Sequence, residues 1–204
     1  RATPGWSLLS SGQVLVAGGA VGGAAADAAE TFAITTGSAT GQVTAVPGGL
    51  VVARNGPAVA PLSNGRAVVV GGAGAGGAPV ADVEVFTPGA GGGSFAVAFS
   101  SAATARIGAT ATALPDGRVL VVGGVNGAGV PQTTALLIDA NATGVTTTGD
   151  DVGRAQHAAL LLPDGRVFVA GGTSVLDDPT LATTVASIYD PVTGQFQSGG
   201  IMNR

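Results

Sequence analysis

The chain has 204 residues, of which 46% are hydrophobic and only 10% are charged, and its formal net charge is −4. Such low charge argues against intrinsic disorder, and the eight basic residues, all arginine, are too dispersed to form a nucleic-acid-binding surface. No apolar run approaches the roughly 18–20 residues of a membrane-spanning helix, and the absence of cysteine excludes disulfides, thiolate nucleophiles and cysteine-type zinc sites.

Four copies of one segment recur along the chain without a gap, each running from an arginine to the first glycine of a Gly-Gly pair. The arginines are Arg1, Arg54, Arg106 and Arg154. The pairs are Gly18 and Gly19, Gly71 and Gly72, Gly123 and Gly124, and Gly171 and Gly172. Self-similarity at a period of about 50 residues is typical of folds in which each unit packs on its neighbours. The repeats divide a single domain over 1–204 into units at about 1–53, 54–105, 106–153 and 154–203.

The first half of each unit predicts a β-hairpin. Small apolar residues such as those at 158–161 suit a first strand, and Leu-Pro-Asp-Gly at 114–117 and 162–165 favours a tight turn with glycine at a positive φ. The continuously apolar run that follows, for example 119–122, predicts a second strand buried on both faces. The Gly-Gly pair then marks a tight turn or the close approach of another segment.

The second half of each unit predicts two more strands. Third strands are predicted at 28–32, 83–86, 135–138 and 186–189. Fourth strands are predicted around Val43, Phe95, Val145 and Phe196. Four strands recurring about every 50 residues indicate an all-β protein made of propeller blades.

These residues resemble the kelch repeat along the whole chain: the arginine, the Leu-Pro-Asp-Gly-Arg-Val hairpin, the glycine pair and two later aromatic positions. The fourth copy is nearest to the pattern, with His157, Tyr189 and Phe196, whereas the third copy has Ile138 for the tyrosine. The resemblance is to kelch repeats of secreted or surface proteins of bacteria. It implies a β-propeller of four-stranded antiparallel blades, similar to the central domain of galactose oxidase without its copper site, in an extracellular, periplasmic or cell-surface location.

The last residues repeat the beginning of a unit, because Arg204 stands where the arginine of a fifth copy would stand. Four blades are at the small limit of propellers, which have roughly four to eight. We therefore expect either part of a larger propeller or four blades that close or self-associate as they stand.

Three residue types in the repeats are candidate functional groups. A buried guanidinium has five N–H donors, so we expect the arginines at 54, 106 and 154 to form hydrogen bonds between blades; binding of an anion at the propeller axis is the alternative. The only histidine, His157, is expected to bond to a neighbouring blade rather than face a ligand. Trp6 is expected to pack rather than to stack on a sugar.

The acidic and glycine-rich segments predict no catalytic residue, metal site or cofactor. A paired-carboxylate mechanism needs two acids that face each other, so we interpret Asp150-Asp151 and Asp177-Asp178 as solvated loop acids, with a calcium site at the second pair as the alternative. The glycine runs at 71–77 and 89–93 lack the lysine of a phosphate-binding loop.

The longest loop after a glycine pair, 173–184, is the best candidate for a contact surface. Its candidate contact residues are Thr173, Ser174, Asp177, Asp178 and Thr180. Because variable loops on a constant framework carry specificity, we predict a non-catalytic binding or scaffold module with protein partners, in a larger assembly or self-associated to complete a propeller.

The alternatives are a fragment of a kelch-type carbohydrate-active enzyme resembling a mutarotase, and a carbohydrate-binding lectin. The copper oxidases of this family require a Tyr–Cys crosslink, a second tyrosine and two histidines. This chain has one tyrosine, one histidine and no cysteine, so we do not expect that chemistry.

Overall fold

The computed structural model describes residues 1–34 and 40–203, so Arg204 lies outside the described residues. About 49% of the described residues are strand and 6% are helix, which confirms the predicted all-β class. The helical residues belong to short 3₁₀ turns at Ala75–Gly77, Ala90–Gly92, Ala102–Thr104 and Pro179–Leu181. Among the described residues, none of these helical turns is long and apolar enough to cross a membrane.

Each repeat supplies one four-stranded antiparallel sheet. The first repeat contains β1 (Gly5–Leu8), β2 (Val14–Ala17), β3 (Ala20–Val21), β4 (Ala24–Ala25), β5 (Ala29–Ile34) and β6 (Gly41–Ala45). The second contains β7 (Ala58–Pro61), β8 (Ala67–Val70), β9 (Asp82–Thr87) and β10 (Ser94–Ser100). The third contains β11 (Ile107–Ala113), β12 (Val119–Val125), β13 (Thr134–Ile138) and β14 (Val145–Asp150). The fourth contains β15 (Ala158–Leu161), β16 (Val167–Ala170), β17 (Val185–Asp190) and β18 (Gln195–Ile201).

The order within sheets 2, 3 and 4 follows the chain, and sheet 1 has the order β1-β2-β5-β6 because β3 and β4 pair separately as a small ribbon. The predicted third and fourth strands therefore coincide with β5, β9, β13 and β17, and with β6, β10, β14 and β18.

The predicted hairpin turns connect the first and second strands of all four sheets. Their glycines, at 12, 65, 117 and 165, have φ between 82° and 87°. Each donates its N–H to the carbonyl of the leucine that opens the turn, at 2.9–3.2 Å. Glycine is favoured here because other residues adopt this left-handed backbone at a cost.

Three apolar cores lie between consecutive sheets and use the same register positions. Between sheets 1 and 2 the core contains Leu15, Ala17, Ala29, Ala67, Val69 and Phe86. Between sheets 2 and 3 it contains Val68, Val70, Val85, Val119, Val121 and Ile138. Between sheets 3 and 4 it contains Leu120, Val122, Leu137, Val167, Val169 and Tyr189. The second strand therefore contributes alternate residues to two cores, and this is why its sequence is apolar throughout.

The sheets follow one another in chain order, with contacts between their first strands β1 and β7, β7 and β11, and β11 and β15. Within the described part of the chain they do not close into a ring or barrel. The expectation that Trp6 packs is wrong for this arrangement, because its side chain lies on the outward face of sheet 1 and is 69% exposed.

Candidate functional site

The arginine that begins each repeat fastens its own sheet. Nη1 of Arg54 donates to the carbonyl oxygens of Gly71, at 3.3 Å, and Asp82, at 2.9 Å. Arg106 bonds in the same way to Gly123 and Thr134, and Arg154 to Gly171 and Val185. The guanidinium therefore joins the end of the second strand to the start of the third. The expectation of guanidinium bonds between blades therefore fails for Nη1, whose acceptors belong to the arginine's own repeat. It is met by Nε, which donates to the carbonyls of Val52, Ala103 and Val152 at the end of the preceding repeat.

The connection between sheets is made instead by the backbone of the same arginine. The carbonyl of Arg154 accepts a hydrogen bond from the N–H of Gly124 in the preceding sheet, at 2.8 Å. Equivalent bonds join Arg54 to Gly19 and Arg106 to Gly72. A Cβ on the first glycine of each of these pairs would meet the arginine carbonyl at 2.5 Å or less. The glycine pair is therefore required by a close approach as well as by its positive φ.

The three buried guanidinium groups differ in their acidic partners. Arg54 pairs with the buried Glu84, whereas Arg106 has Leu136 at the corresponding register position, and burial lowers the pKa of Arg106 to about 10. Burial also lowers the pKa of Arg54, an effect that the charge of Glu84 opposes. The charge of Arg54 is therefore compensated by Glu84, and that of Arg154 is compensated by Asp151. This local compensation favours a structural role over anion binding.

Asp151 supplies the compensating charge in sheet 4. Its side chain is buried, lies 3.3 Å from Nε of Arg154, and accepts a hydrogen bond from Ser187 at 2.5 Å. The interpretation of Asp151 as a solvated loop acid is therefore wrong. Asp150 is exposed and accepts a bond from Thr134 at 2.7 Å, so the two neighbouring carboxylates serve different partners.

His157 joins sheet 4 to sheet 3, because its Nε2 lies 2.8 Å from Oγ1 of Thr110 on β11. Burial, and secondarily the charge of Arg154, lowers the pKa of His157 to about 4. The imidazole is therefore neutral at physiological pH. This agrees with the expected bond to a neighbouring blade.

The candidate contact loop is held in place by hydrogen bonds to Ala155 and by bonds within the loop itself. The backbone of Thr173 exchanges two bonds of 2.9 Å with that of Ala155, and Ser174 donates its N–H to Leu181. Asp178 accepts from the N–H and hydroxyl of Thr180 at the start of the 3₁₀ turn. Ser174, Asp177 and Thr180 are exposed, whereas Thr173 and Asp178 are half-buried. Three of the five candidate residues are therefore available to a partner.

Gln156 is a member of this site that sequence reasoning missed. Its side-chain amide donates to Asp177 at 2.5 Å and accepts the N–H of Asp177 at 3.2 Å. Both residues have a left-handed backbone, with φ of 57° and 60°. Strained non-glycine residues of this kind occur at ligand-contact positions as well as in turns. The only sequence signal is positional, because Gln156 stands where two other repeats have Gly56 and Gly108.

The loops that follow the glycine pairs emerge from the same end of each sheet and leave grooves between them. One groove, of about 440 Å³, lies between the loops of sheets 1 and 2 and includes Asn55 and Gly74. A second, of about 460 Å³, lies between the loops of sheets 2 and 3 and includes Asn126, and Leu176 of the candidate contact loop also lines it. We call this side of the molecule the loop face. Its walls are mainly backbone and small side chains, which suit recognition by shape and main-chain hydrogen bonds.

No protein-family model and no curated protein matches the chain. Comparison with solved structures shows a galactose-oxidase-like fold. A structure described as a novel fungal alcohol oxidase with catalytic diversity among the AA5 family, in complex with copper, matches with a TM-score of 0.58 over 98% of this chain. The identity is 17%, and the chain spans 53% of that protein's length, so the likeness shows the fold alone.

The side chains present do not fit a copper centre of the kind that this neighbour contains. The only tyrosine, Tyr189, is fully buried and its hydroxyl lies 2.9 Å from that of Thr148. The only histidine, His157, is bonded to Thr110 of β11, whereas Tyr189 is bonded to Thr148 of β14. Within residues 1–34 and 40–203, no three His, Cys, Asp or Glu side chains are grouped as metal ligands.

Proposed function

We propose that this chain is a non-catalytic module of kelch-propeller type that binds a protein partner or a surface assembly through its loop face. The observation that carries the proposal is the pair of grooves, of about 440 and 460 Å³, between consecutive loops. The first is lined largely by glycine and alanine, and the second adds the apolar side chains of Ile107, Val125 and Leu176. An extended peptide segment has the shape and the main-chain hydrogen-bonding groups for such a groove.

A peptide library displayed on phage is a direct test. We expect wild-type protein to enrich peptides whose binding is lost in Leu176→Arg and Asn126→Arg variants. Val192→Arg is the matched control, because Val192 is an exposed apolar residue in the turn after β17, away from these grooves. Failure to enrich any peptide, or binding that both groove substitutions leave intact, would contradict the proposal.

A lectin is the second candidate, and the exposure of Trp6 favours it, because an exposed indole is a stacking surface for a sugar ring. A glycan array distinguishes the two functions. A lectin predicts glycan signals that Trp6→Ala removes and Leu176→Arg leaves unchanged, whereas loop-face binding predicts no glycan signal dependent on Trp6.

A fragment of a carbohydrate-active enzyme is the third candidate, favoured by the oxidase neighbour. Polarimetry with reducing sugars tests a mutarotase-like activity. Acceleration of anomer exchange by the wild-type chain would replace the binding proposal with an enzymatic one.

A further inference from the structure

The outward face of sheet 1 carries an apolar patch without a partner among the described residues. We call this patch the leading face and define it by the exposed Trp6, Leu8 and Phe32 and the half-buried Val14 and Val16. The side chains lie next to one another in register: Trp6 pairs with Val16, and Leu8 with Val14, which in turn pairs with Phe32. Contiguous exposed apolar residues of this kind mark interaction surfaces.

Two of these register positions are fully covered in every other sheet, whereas the equivalents of Trp6 and Leu8 are half-buried, except Leu161, which is 38% exposed. Val14 corresponds to Ala67, Val119 and Val167, each of which is fully buried against the preceding sheet. Phe32 corresponds to Phe86, Ile138 and Tyr189, which are also fully buried, whereas Phe32 itself is 36% exposed. At the Val14 and Phe32 positions, the leading face of sheet 1 is thus equivalent to the face of sheets 2, 3 and 4 that packs against the preceding sheet.

Sheet 4 carries the complementary surface on its opposite side. We call it the trailing face and define it by Leu160, Phe168 and Ile188, which lie in register across β15, β16 and β17. The corresponding second-strand residues Leu15, Val68 and Leu120 are fully buried against the following sheet, but Leu160 is 64% exposed and Phe168 is only half-buried.

We propose that two copies of this chain associate head to tail, with the leading face of each packed on the trailing face of the other. The three cores between sheets 1 and 4 show that these two kinds of face pack together. Within one molecule they remain apart, because the four sheets do not close. Two such contacts related by a two-fold axis close a ring of eight sheets and leave neither face exposed, within the roughly four to eight blades known for propellers.

The exposed area of the chain supports this association. A compact monomer of this mass exposes roughly 8,400 Å², whereas this chain exposes 9271 Å². The excess is on the scale of one partner's share of a standard protein interface, about 800 Å². The association uses the sheet faces and leaves the loop face free, so it goes beyond the proposed function and its failure would leave that function untouched.

Light scattering after size-exclusion chromatography tests the proposal. We expect the 204-residue chain at micromolar concentration to have twice the mass of one chain. Trp6→Arg and Leu160→Arg are each expected to raise the dissociation constant at least about 30-fold, as loss of a central interface residue does. Both side chains are exposed in the single chain, so the variants should stay folded, with near wild-type circular dichroism; Val192→Arg is the matched control and should still dimerise.

A mixture of the two variants distinguishes head-to-tail pairing from other geometries. The Trp6→Arg copy keeps its trailing face and the Leu160→Arg copy keeps its leading face, so the mixture should form a dimer that neither variant forms alone. Dimerisation lost in Trp6→Arg but kept in Leu160→Arg would indicate pairing of two leading faces and overturn the proposal. A wild-type monomer would also overturn it.

Discussion

Arg54 and Glu84 form an ion pair in which neither side chain is exposed, with 2.5 Å between Nη2 and Oε1. Glu84 also accepts the N–H groups of Val51 and Val52, at 2.8 and 3.0 Å, and so holds the segment that connects sheets 1 and 2. Glu30 occupies the same register position in sheet 1 and pairs with Arg1, but its side chain is 41% exposed. Equivalent arginine–glutamate ion pairs are thus partly exposed in sheet 1 and fully buried in sheet 2.

We predict that Glu84→Ala destabilises the fold by about 3–5 kcal/mol, because it leaves the buried guanidinium of Arg54 without its charge partner and removes the acceptor of the Val51 and Val52 N–H groups. Glu30→Ala, the matched control, should cost less than about 1 kcal/mol, as exposed pairs do. Urea-induced unfolding of both variants measures the difference. Equal losses would show that burial does not govern the strength of this pair.

His157 should make stability depend on pH between about 6.5 and 4. Its folded-state pKa is lowered from 6.5 to about 4, so below pH 6.5 the unfolded chain takes up a proton that the folded chain does not. Stability therefore falls as the pH drops through this window, by up to about 3 kcal/mol. Unfolding free energies of wild type and His157→Gln, measured at several pH values, should differ by a curve with this shape. A difference that stays constant with pH would contradict the neutral buried imidazole.

Gly123→Ala should weaken the connection between sheets 3 and 4. The added methyl group would meet the carbonyl of Arg154 and, with φ at 62°, would also strain the backbone. We expect a loss of about 3 kcal/mol or more, from strain and from the Gly124 hydrogen bond to that carbonyl. Gly129→Ala is the control, because its φ of 75° is similar but no atom lies within 4 Å of the added position. It should cost about 1–2 kcal/mol.

The two bonds between Gln156 and Asp177 should restrict the motion of the loop at 173–184. Asp177→Ala removes the carboxylate acceptor, and we expect faster amide hydrogen exchange in this loop with little change in global stability. Asp164→Ala, in the hairpin turn between β15 and β16, removes another exposed carboxylate and should leave exchange in the loop unchanged. Identical exchange in both variants would show that the bond between the Asp177 carboxylate and Gln156 does not restrict the loop.

The strands were predictable because their signals are local. Leu-Pro-Asp-Gly specifies the turn at 114–117 with its own φ preferences, and the apolar run at 119–122 indicates burial on both faces without any knowledge of the neighbouring sheets. The arginine contacts were less accessible, because the acceptors of Arg54 lie 17 and 28 residues further along the chain. A repeat pattern identifies such a residue as structural but does not choose among its acceptors.

Trp6 and Asp151 show where residue type is misleading. Apolar character suggested that Trp6 packs, but no sheet among the described residues covers its side of sheet 1, and Trp6 is 69% exposed. Acidic character suggested that Asp151 is solvated, but Arg154, three residues further on, and Ser187 of β17 both contact its carboxylate. The exposure of Trp6 is decided by tertiary neighbours, and the burial of Asp151 by a distant residue, Ser187, together with a local one, Arg154.

The dual bonding of the arginine also bears on how such a chain can change in evolution. Its guanidinium reaches the glycine of its own unit at a constant separation of 17 residues, while its carbonyl docks on the unit before it. An insertion or deletion of a single amino acid between them would break the spacing, whereas duplication or loss of a complete unit would preserve every such distance. Length variation should therefore accumulate after the glycine pair, and the number of units should be able to change in whole steps.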